Sequence, residues 1–258
     1  MNEPIGIFDS GIGGLTVFRE MRRQLPGEDL IYLGDTARVP YGTKSAETVT
    51  RYSQQNVRFL LQQGVKLVVV ACNTASAFAL EKLQKEFSIP IIGVIHAGVK
   101  RVLQASATQR IGIIGTEGTI RSESYTQEIL RQAPSAQVFS QACPLFVPLV
   151  EEGWQDTAVA QATAETYLAP LRGKIDTLIL GCTHYPLLKK VIGQVLGPEV
   201  QLIDSAEETA KEVKGLVIPS QKTTSAADRF FVSDSTERFM KVAKVFLKDF
   251  GQAEKVEL

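Results

Sequence analysis

Residues 66–76 read KLVVVACNTAS, and this stretch decides the fold of the chain. Its apolar run at 67–71 has no polar alternation, which is typical of a strand buried on both faces of a parallel sheet. Cys72, Asn73 and Thr74 come next, followed by a helix-compatible segment. Because open α/β sheets bind ligands at the carboxyl ends of their strands, we predict a functional thiol at that edge.

The same pattern occurs a second time at 175–186, which reads IDTLILGCTHYP and places Cys182 after an apolar strand. Before each cysteine the chain runs through IGI, a Gly- and Thr- or Ser-containing turn, a strand, a proline loop and a helix, at closely similar spacing. This is an internal duplication and not a short-period solenoid. We therefore predict two pseudo-symmetric α/β domains with mainly parallel central sheets. Their cleft would be bracketed by Cys72 and Cys182.

The duplication also predicts where the domains divide. Residues 1–96 with 206–258 would form the first domain, and 97–205 the second. In the tail, 229–232 is predicted to add an edge strand and 236–250 an amphipathic helix, after a polar connector at 218–227. His96, which interrupts the pattern, is predicted to be a hinge or a helix cap.

Composition excludes several classes of protein. The 258 residues hold 28 Lys and Arg against 28 Asp and Glu, so nucleic acid and anionic membranes are not expected as partners. No apolar run approaches the ~20 residues of a membrane helix and no signal peptide is visible, so we expect a cytoplasmic protein. Three cysteines do not make a disulfide framework. A metal site of Cys72, Cys182 and His184 would lack a fourth ligand, so we expect no metal.

Two thiols that face one substrate suit the inversion of a carbon centre, in which one group removes a proton and the other returns one to the opposite face. A cysteine thiol, with an ordinary pKa of about 8.5, can do this once its surroundings tune it. Asp9 near Cys72 and His184 near Cys182 could move or orient those protons. Hydroxyl and amide groups beside the cysteines would hold carboxylates. No Schiff-base motif or dinucleotide fingerprint is evident, so no cofactor is expected.

Six pieces of sequence carry a resemblance to a known family. They are IGIFDSGIGGLTV from residue 5, LGDTARVPYG from 33, VVVACNTAS from 68, IGIIGTEGTI from 111, PLFVPLVEEG from 144 and LILGCTHYPLL from 178. In this order they resemble the glutamate racemases of the aspartate/glutamate racemase superfamily. The resemblance implies cofactor-independent interconversion of L- and D-glutamate, which supplies D-glutamate for peptidoglycan. It also implies a homodimer.

The resemblance assigns roles residue by residue. Cys72 would exchange a proton with D-glutamate and Cys182 with L-glutamate, assisted by Asp9, His184 and Glu151. The substrate site implied by the family comprises Asp9, Ser10, Pro40, Tyr41, Gly42, Asn73, Thr74, Thr116, Thr119, Thr183 and His184. Many members have Glu-Pro-Gly where this chain has His-Ala-Gly at 96–98, a departure that touches no catalytic position.

Other readings stay open at this point. A racemase or isomerase of the same superfamily could act on aspartate or another small acid. Cys182 and His184 alone would suit acyl transfer. A silent small-acid binding protein would make both cysteines dispensable, and a thiol redox protein would form a reversible disulfide between them.

Overall fold

The structure is a computed structural model that describes residues 3–217, 227–247 and 250–258. Within these ranges the strands form two separate parallel sheets, each flanked by helices, as the sequence predicts. The helices are α1 (Leu15–Gln24), α2 (Ala46–Gln62), α3 (Asn73–Glu86), α4 (Val94–Ala105), α5 (Glu117–Arg121), α6 (Ser124–Gln132), α7 (Phe146–Glu151), α8 (Ala158–Leu168), α9 (Lys189–Leu196), α10 (Ser205–Leu216) and α11 (Thr236–Phe246).

The first sheet has six parallel strands in the order β10-β9-β2-β1-β3-β4. Their bounds are β1 Ile5–Asp9, β2 Leu30–Gly34, β3 Leu67–Val70, β4 Ile91–Gly93, β9 Asp228–Val232 and β10 Ala253–Lys255. Every residue of β1, β2 and β3 is buried, because helices cover both faces of the sheet.

The second sheet has four parallel strands in the order β6-β5-β7-β8. Their bounds are β5 Arg110–Gly115, β6 Gln137–Ala142, β7 Thr177–Gly181 and β8 Gln201–Asp204. The first sheet contains the order β2-β1-β3-β4, which matches β6-β5-β7-β8 of the second sheet strand by strand. The predicted duplication is therefore confirmed, and the strands before the two cysteines, β3 and β7, are equivalent.

Several local predictions differ from the structure. His96 is not a helix cap, because it lies inside α4, which starts directly after β4, and its role as a hinge stays a prediction. The strand β9 is not at the edge of its sheet, since β10 pairs outside it. Residues 143–153, whose prolines predict a loop, contain α7. The last helix, predicted at 236–250, ends at Phe246. The predicted connector lies outside the described residues except for Ala227.

One core joins the two halves. The largest buried cluster includes Ile5 and Val69 of the first sheet together with Leu178 of the second. The helix α10 packs against α1 on one side and α4 on the other. Since residue 96 lies within α4, the predicted division at 96/97 falls inside a helix, and it stays a prediction.

Candidate active site

The first thiol lies where β3 passes into α3. The Cys72 side chain is 6% exposed and caps the helix, with its Sγ accepting a hydrogen bond from the Ala75 N–H at 3.4 Å. Burial raises the pKa of Cys72 to about 12, and the charge of Asp9 acts in the same direction. The Ala75 amide and the Ser10 hydroxyl oppose this shift without cancelling it. Cys72 therefore holds its proton at neutral pH.

Asp9 ends the neighbouring strand β1 and is fully buried. Its carboxylate accepts a hydrogen bond from the Gly11 N–H at 3.0 Å, and the Thr183 hydroxyl lies 3.5 Å away. Burial raises the pKa of Asp9, while the positive charge of His184 lowers it. The Asp9 carboxylate thus interacts with residues from both halves of the molecule.

The second thiol follows β7. The Sγ of Cys182 lies 3.8 Å from Nδ1 of His184, and Nε2 of that ring lies 3.1 Å from a carboxylate oxygen of Glu151 in α7. Burial alone would lower the pKa of His184, but the contacts with Cys182 and Glu151 raise it to about 10. The pKa of Glu151 is lowered, because the hydrogen bond and charge of His184, together with the charge of Arg238, outweigh its burial. At neutral pH His184 is therefore positively charged and can stabilise negative charge that develops beside it.

Both thiols line one cavity of about 330 Å³, which is large enough for a small amino acid. Its walls include most of the residues named from the sequence: Ser10, Pro40, Tyr41, Gly42, Cys72, Asn73, Thr74, Thr116, Glu151, Cys182, Thr183 and His184. Asp9 and Thr119 are not among the lining residues. Each lies behind the wall, in contact with a lining hydroxyl.

Three hydroxyl groups meet at one side of the cavity. The Thr74 Oγ1 lies 2.8 Å from that of Thr116 and 3.1 Å from that of Thr119, and the latter two are 3.0 Å apart. Thr74 lies in α3, Thr119 lies in α5 and Thr116 is the N-cap of α5, so the cluster spans the cleft between the sheets. Hydroxyls can turn to donate to an anion, which makes this side suited to a carboxylate.

Tyr41 is fixed by a buried polar network. Its hydroxyl donates to Asp35 and receives a hydrogen bond from the Asn56 amide at 3.1 Å. Arg38 donates to the same Asp35 carboxylate at 2.7 Å. This network holds the loop that carries Pro40, Tyr41 and Gly42 against the cavity.

Some lining residues were not singled out from the sequence. They are Gly11, Val39, Thr43, Glu117, Pro144, Val147 and Pro148. All of them except Thr43 lie within a quoted sequence piece, and Thr43 directly follows one, so membership of those pieces was the available signal. Apart from the carboxylate of Glu117, their side chains carry no distinctive chemistry that would have separated them from ordinary loop residues.

The residues present do not suggest a metal centre. Among the described ranges, no group of three His, Cys, Asp or Glu side chains is placed to hold a metal ion. The described lining also contains no lysine, the residue that a pyridoxal phosphate Schiff base requires. In the part of the chain that the structure describes, no helix has the length and apolarity to cross a bilayer.

The sequence model of the Asp/Glu/Hydantoin racemase family matches residues 5–213. The chain belongs to this family. Glutamate racemase of Geobacter metallireducens is 56% identical over 248 residues, which cover 94% of this chain and 92% of that protein.

Two solved structures of family members are closely similar. Glutamate racemase isoform RacE1 of Bacillus anthracis superposes with a TM-score of 0.96 at 42% identity, covering 99% of this chain and 98% of that one. The glutamate racemase of Francisella tularensis, solved in complex with D-glutamate, gives a TM-score of 0.92 at 39% identity over 99% and 98% of the two chains. This chain is thus an isomerase of the amino-acid racemase class, and the predicted family, fold and enzyme class are confirmed.

Proposed function

We propose that this racemase interconverts L- and D-glutamate by a two-base mechanism without a cofactor. The observation that carries the proposal is that Cys72 and Cys182, from equivalent strands of two related sheets, line one cavity. The names of its relatives favour glutamate as the substrate. The site residues predicted from the sequence are proposed in the same roles.

In the direction from L- to D-glutamate, the Cys182 thiolate would take the α-proton from one face of the substrate. The electron pair left on the α-carbon would then take the proton of the Cys72 thiol on the opposite face. One S–H bond forms and one breaks, so no other reactant is needed. Cys72 is buried and protonated, which fits its proposed role as the acid. The positive charge of His184 would stabilise the Cys182 thiolate that acts as the base.

In the opposite direction Cys72 must give up its proton before it can act as the base. The negative charge of Asp9 opposes this in the protein alone. The α-ammonium group of a bound amino acid would offset that charge, because it is a cation held in the same buried site. Asp9 would thus serve to bind the ammonium group and to make the ionisation of Cys72 depend on substrate.

The threonine hydroxyls and the Asn73 amide would hold the carboxylates. We further propose that the product serves peptidoglycan synthesis, that the enzyme works in the cytoplasm as a homodimer, and that its domains comprise 1–96 with 206–258 and 97–205. The return of β9 and β10 to the first sheet supports this assignment of the tail.

The direct test is to incubate the purified protein with L-glutamate in deuterated water, with no added cofactor. We expect D-glutamate that carries deuterium at the α-carbon, because the returning proton comes from a thiol equilibrated with solvent. Retention of the original hydrogen, or no turnover, would contradict the mechanism. Turnover of aspartate but not glutamate would favour the alternative substrate class, which the fold alone accommodates.

Single replacements test the two thiols separately. Cys72→Ser and Cys182→Ser are each expected to reduce racemisation by at least about 10²-fold, because a serine hydroxyl is a far weaker acid and a poor base at neutral pH. Cys143→Ser is the matched control, since that thiol is buried but absent from the cavity lining. Full racemase activity in either of the first two variants would remove that cysteine from the mechanism.

A further inference from the structure

Tyr125 is a buried residue that none of the sequence motifs singled out for function. It lies in α6, is 2% exposed, and donates a hydrogen bond from its hydroxyl to Oδ1 of Asn73 at 2.6 Å. Asn73 follows Cys72 directly and lines the cavity. A residue on the second sheet's side of the molecule thus orients an amide beside the first thiol.

The ring of Tyr125 also contacts the region of the second thiol and both connections between the sheets. A Cβ built on Gly181, the residue before Cys182, would lie 3.3 Å from the ring atom Cε2. A Cβ built on Gly98 of α4 would lie 3.5 Å from Cε1, and the Ser205 side chain at the start of α10 contacts the phenol. Tyr125 is therefore enclosed on several sides and cannot move away from Asn73 without displacing them.

A carboxamide side chain has an acceptor end and a donor end of nearly the same shape. When a hydroxyl proton holds Oδ1, the Nδ2–H₂ group remains to face a ligand. Without that hydrogen bond the amide could rotate by half a turn and present Oδ1 to an anionic substrate, which would repel it. Burial raises the pKa of Tyr125, so the hydroxyl keeps its proton and acts as a donor.

We propose that Tyr125 is a positioning residue that holds the Asn73 amide with its Nδ2–H₂ group toward the cavity, ready to donate to a carboxylate of glutamate. This inference rests on the proposed function for the identity of the ligand. The orientation of the amide itself depends only on the hydrogen bond between the two side chains.

The first test is the Tyr125→Phe variant, with Tyr185→Phe as its matched control. Tyr185 is equally buried, and its hydroxyl donates to the backbone carbonyl of Cys143 at 2.8 Å, away from Asn73. We expect Tyr125→Phe to raise KM for glutamate about 3- to 10-fold with a smaller change in kcat, as for loss of one ground-state hydrogen bond. The control variant is expected to keep the wild-type KM even though it loses a comparable buried hydrogen bond.

A double-mutant cycle separates positioning from general disturbance of the fold. In an Asn73→Ala background, Tyr125→Phe is expected to cause no further rise in KM, because the side chain that it orients is gone. Equal effects of Tyr125→Phe in both backgrounds, or an unchanged KM in the single variant, would overturn the proposal.

The second test does not depend on turnover. The two Nδ2 protons of Asn73 can be assigned by NMR from the signals that disappear in Asn73→Ala. On the wild-type protein, D-glutamate is expected to shift both protons, and Tyr125→Phe is expected to shift or broaden them without ligand. If glutamate binds in the cavity without shifting the signals of the two Asn73 Nδ2 protons, the positioning role is refuted. A wild-type enzyme that does not racemise glutamate, with the pair still sensitive to Tyr125→Phe, would refute the proposed function alone.

Discussion

Gly13 lies at a close approach between the two halves of the molecule. A Cβ at this position would be 2.3 Å from Oγ1 of Thr183 and 2.4 Å from Nδ1 of His184. The ring of His184 cannot easily move aside, because it is buried and hydrogen-bonded to Cys182 and Glu151. The glycine is thus required for the imidazole to occupy its place beside the second thiol.

We predict that Gly13→Ala lowers the free energy of unfolding by about 1–3 kcal/mol, the usual cost of overpacking a core. Racemase activity should fall with it, because the imidazole must move. Gly215→Ala is the control: it lies in α10, no atom comes within 4 Å of its built Cβ, and a small gain in stability is expected. Urea unfolding of the two variants measures both effects, and a Gly13→Ala protein as stable and active as the wild type would disprove the argument.

The contact between buried His184 and half-buried Glu151 predicts how the free energy of unfolding depends on pH. The pKa of His184 in the folded protein is raised from 6.5 to about 10, so the imidazolium stabilises the fold fully below pH 6.5 and loses this contribution as pH rises through about 10. We expect Glu151→Gln to reduce the free energy of unfolding at neutral pH, and the difference from wild type to shrink toward pH 10. Glu152→Gln changes the neighbouring exposed carboxylate and should show no such pH-dependent difference. Denaturant unfolding curves of the variants and the wild type, measured from neutral pH to about 10, test this prediction. A Glu151→Gln effect on the free energy of unfolding that stays constant over this range would contradict it.

Among individual residues, the sequence predicted those whose role can be inferred from their immediate neighbours in the chain. Cys72, Cys182 and His184 follow apolar strands, and a thiol or imidazole at a strand end is visible in one dimension. Glu151 was assigned only by family resemblance, and Tyr125 not at all. Both act through partners far away in the chain, and such distances cannot be read from local pattern.

Among the elements, α4 is the one whose start the sequence misplaced. The apolar run at 89–95 predicts a strand that breaks at His96, yet the helix starts at Val94. The His96 side chain is 55% exposed and lies 3.0 Å from Glu128. Tertiary packing of Val94 and Ile95, which are buried, overrides the apparent strand pattern. Short apolar runs of this kind do not distinguish strand from buried helix.

This position leads to a prediction of little effect. His96→Ala should change the free energy of unfolding by less than about 0.5–1 kcal/mol, because the side chain contributes only an exposed hydrogen bond to Glu128. Its kcat/KM for glutamate should match the wild-type value. A large fall in either quantity would show that residue 96 acts as the hinge that the sequence suggested.

The strands were predicted better than the ends of the chain. Unalternating apolar runs mark β1, β3 and β7, and the structure buries every residue of them. By contrast β10 is three residues long and two of them are exposed, so it carries no hydrophobic signal. It forms a strand because it pairs with the edge of β9, and this pairing cannot be predicted from the three residues alone.

For the molecule as a whole, the cavity has walls from both sheets, so a ligand there should tie the two halves together. We predict that L- or D-glutamate raises the midpoint of thermal unfolding, corresponding to about 2.7 kcal/mol of added stability when the ligand is at 100 times its Kd. L-lysine, of similar size but opposite net charge, is the control and should have no effect. Differential scanning calorimetry gives the answer, and equal shifts with both amino acids would argue against a specific carboxylate site.

The two thiols are placed by equivalent strands but have unlike neighbours: Asp9 and Ser10 for one, His184 and Glu151 for the other. Mirror-image substrates have identical free energies in water, so the equilibrium constant between them is unity. Consequently the two directions can differ in turnover number and in Michaelis constant, but the ratio of these quantities must be the same for both enantiomers. The asymmetry of the site can therefore adjust how fast the enzyme works at a given concentration of each enantiomer, and it can never make one of them accumulate.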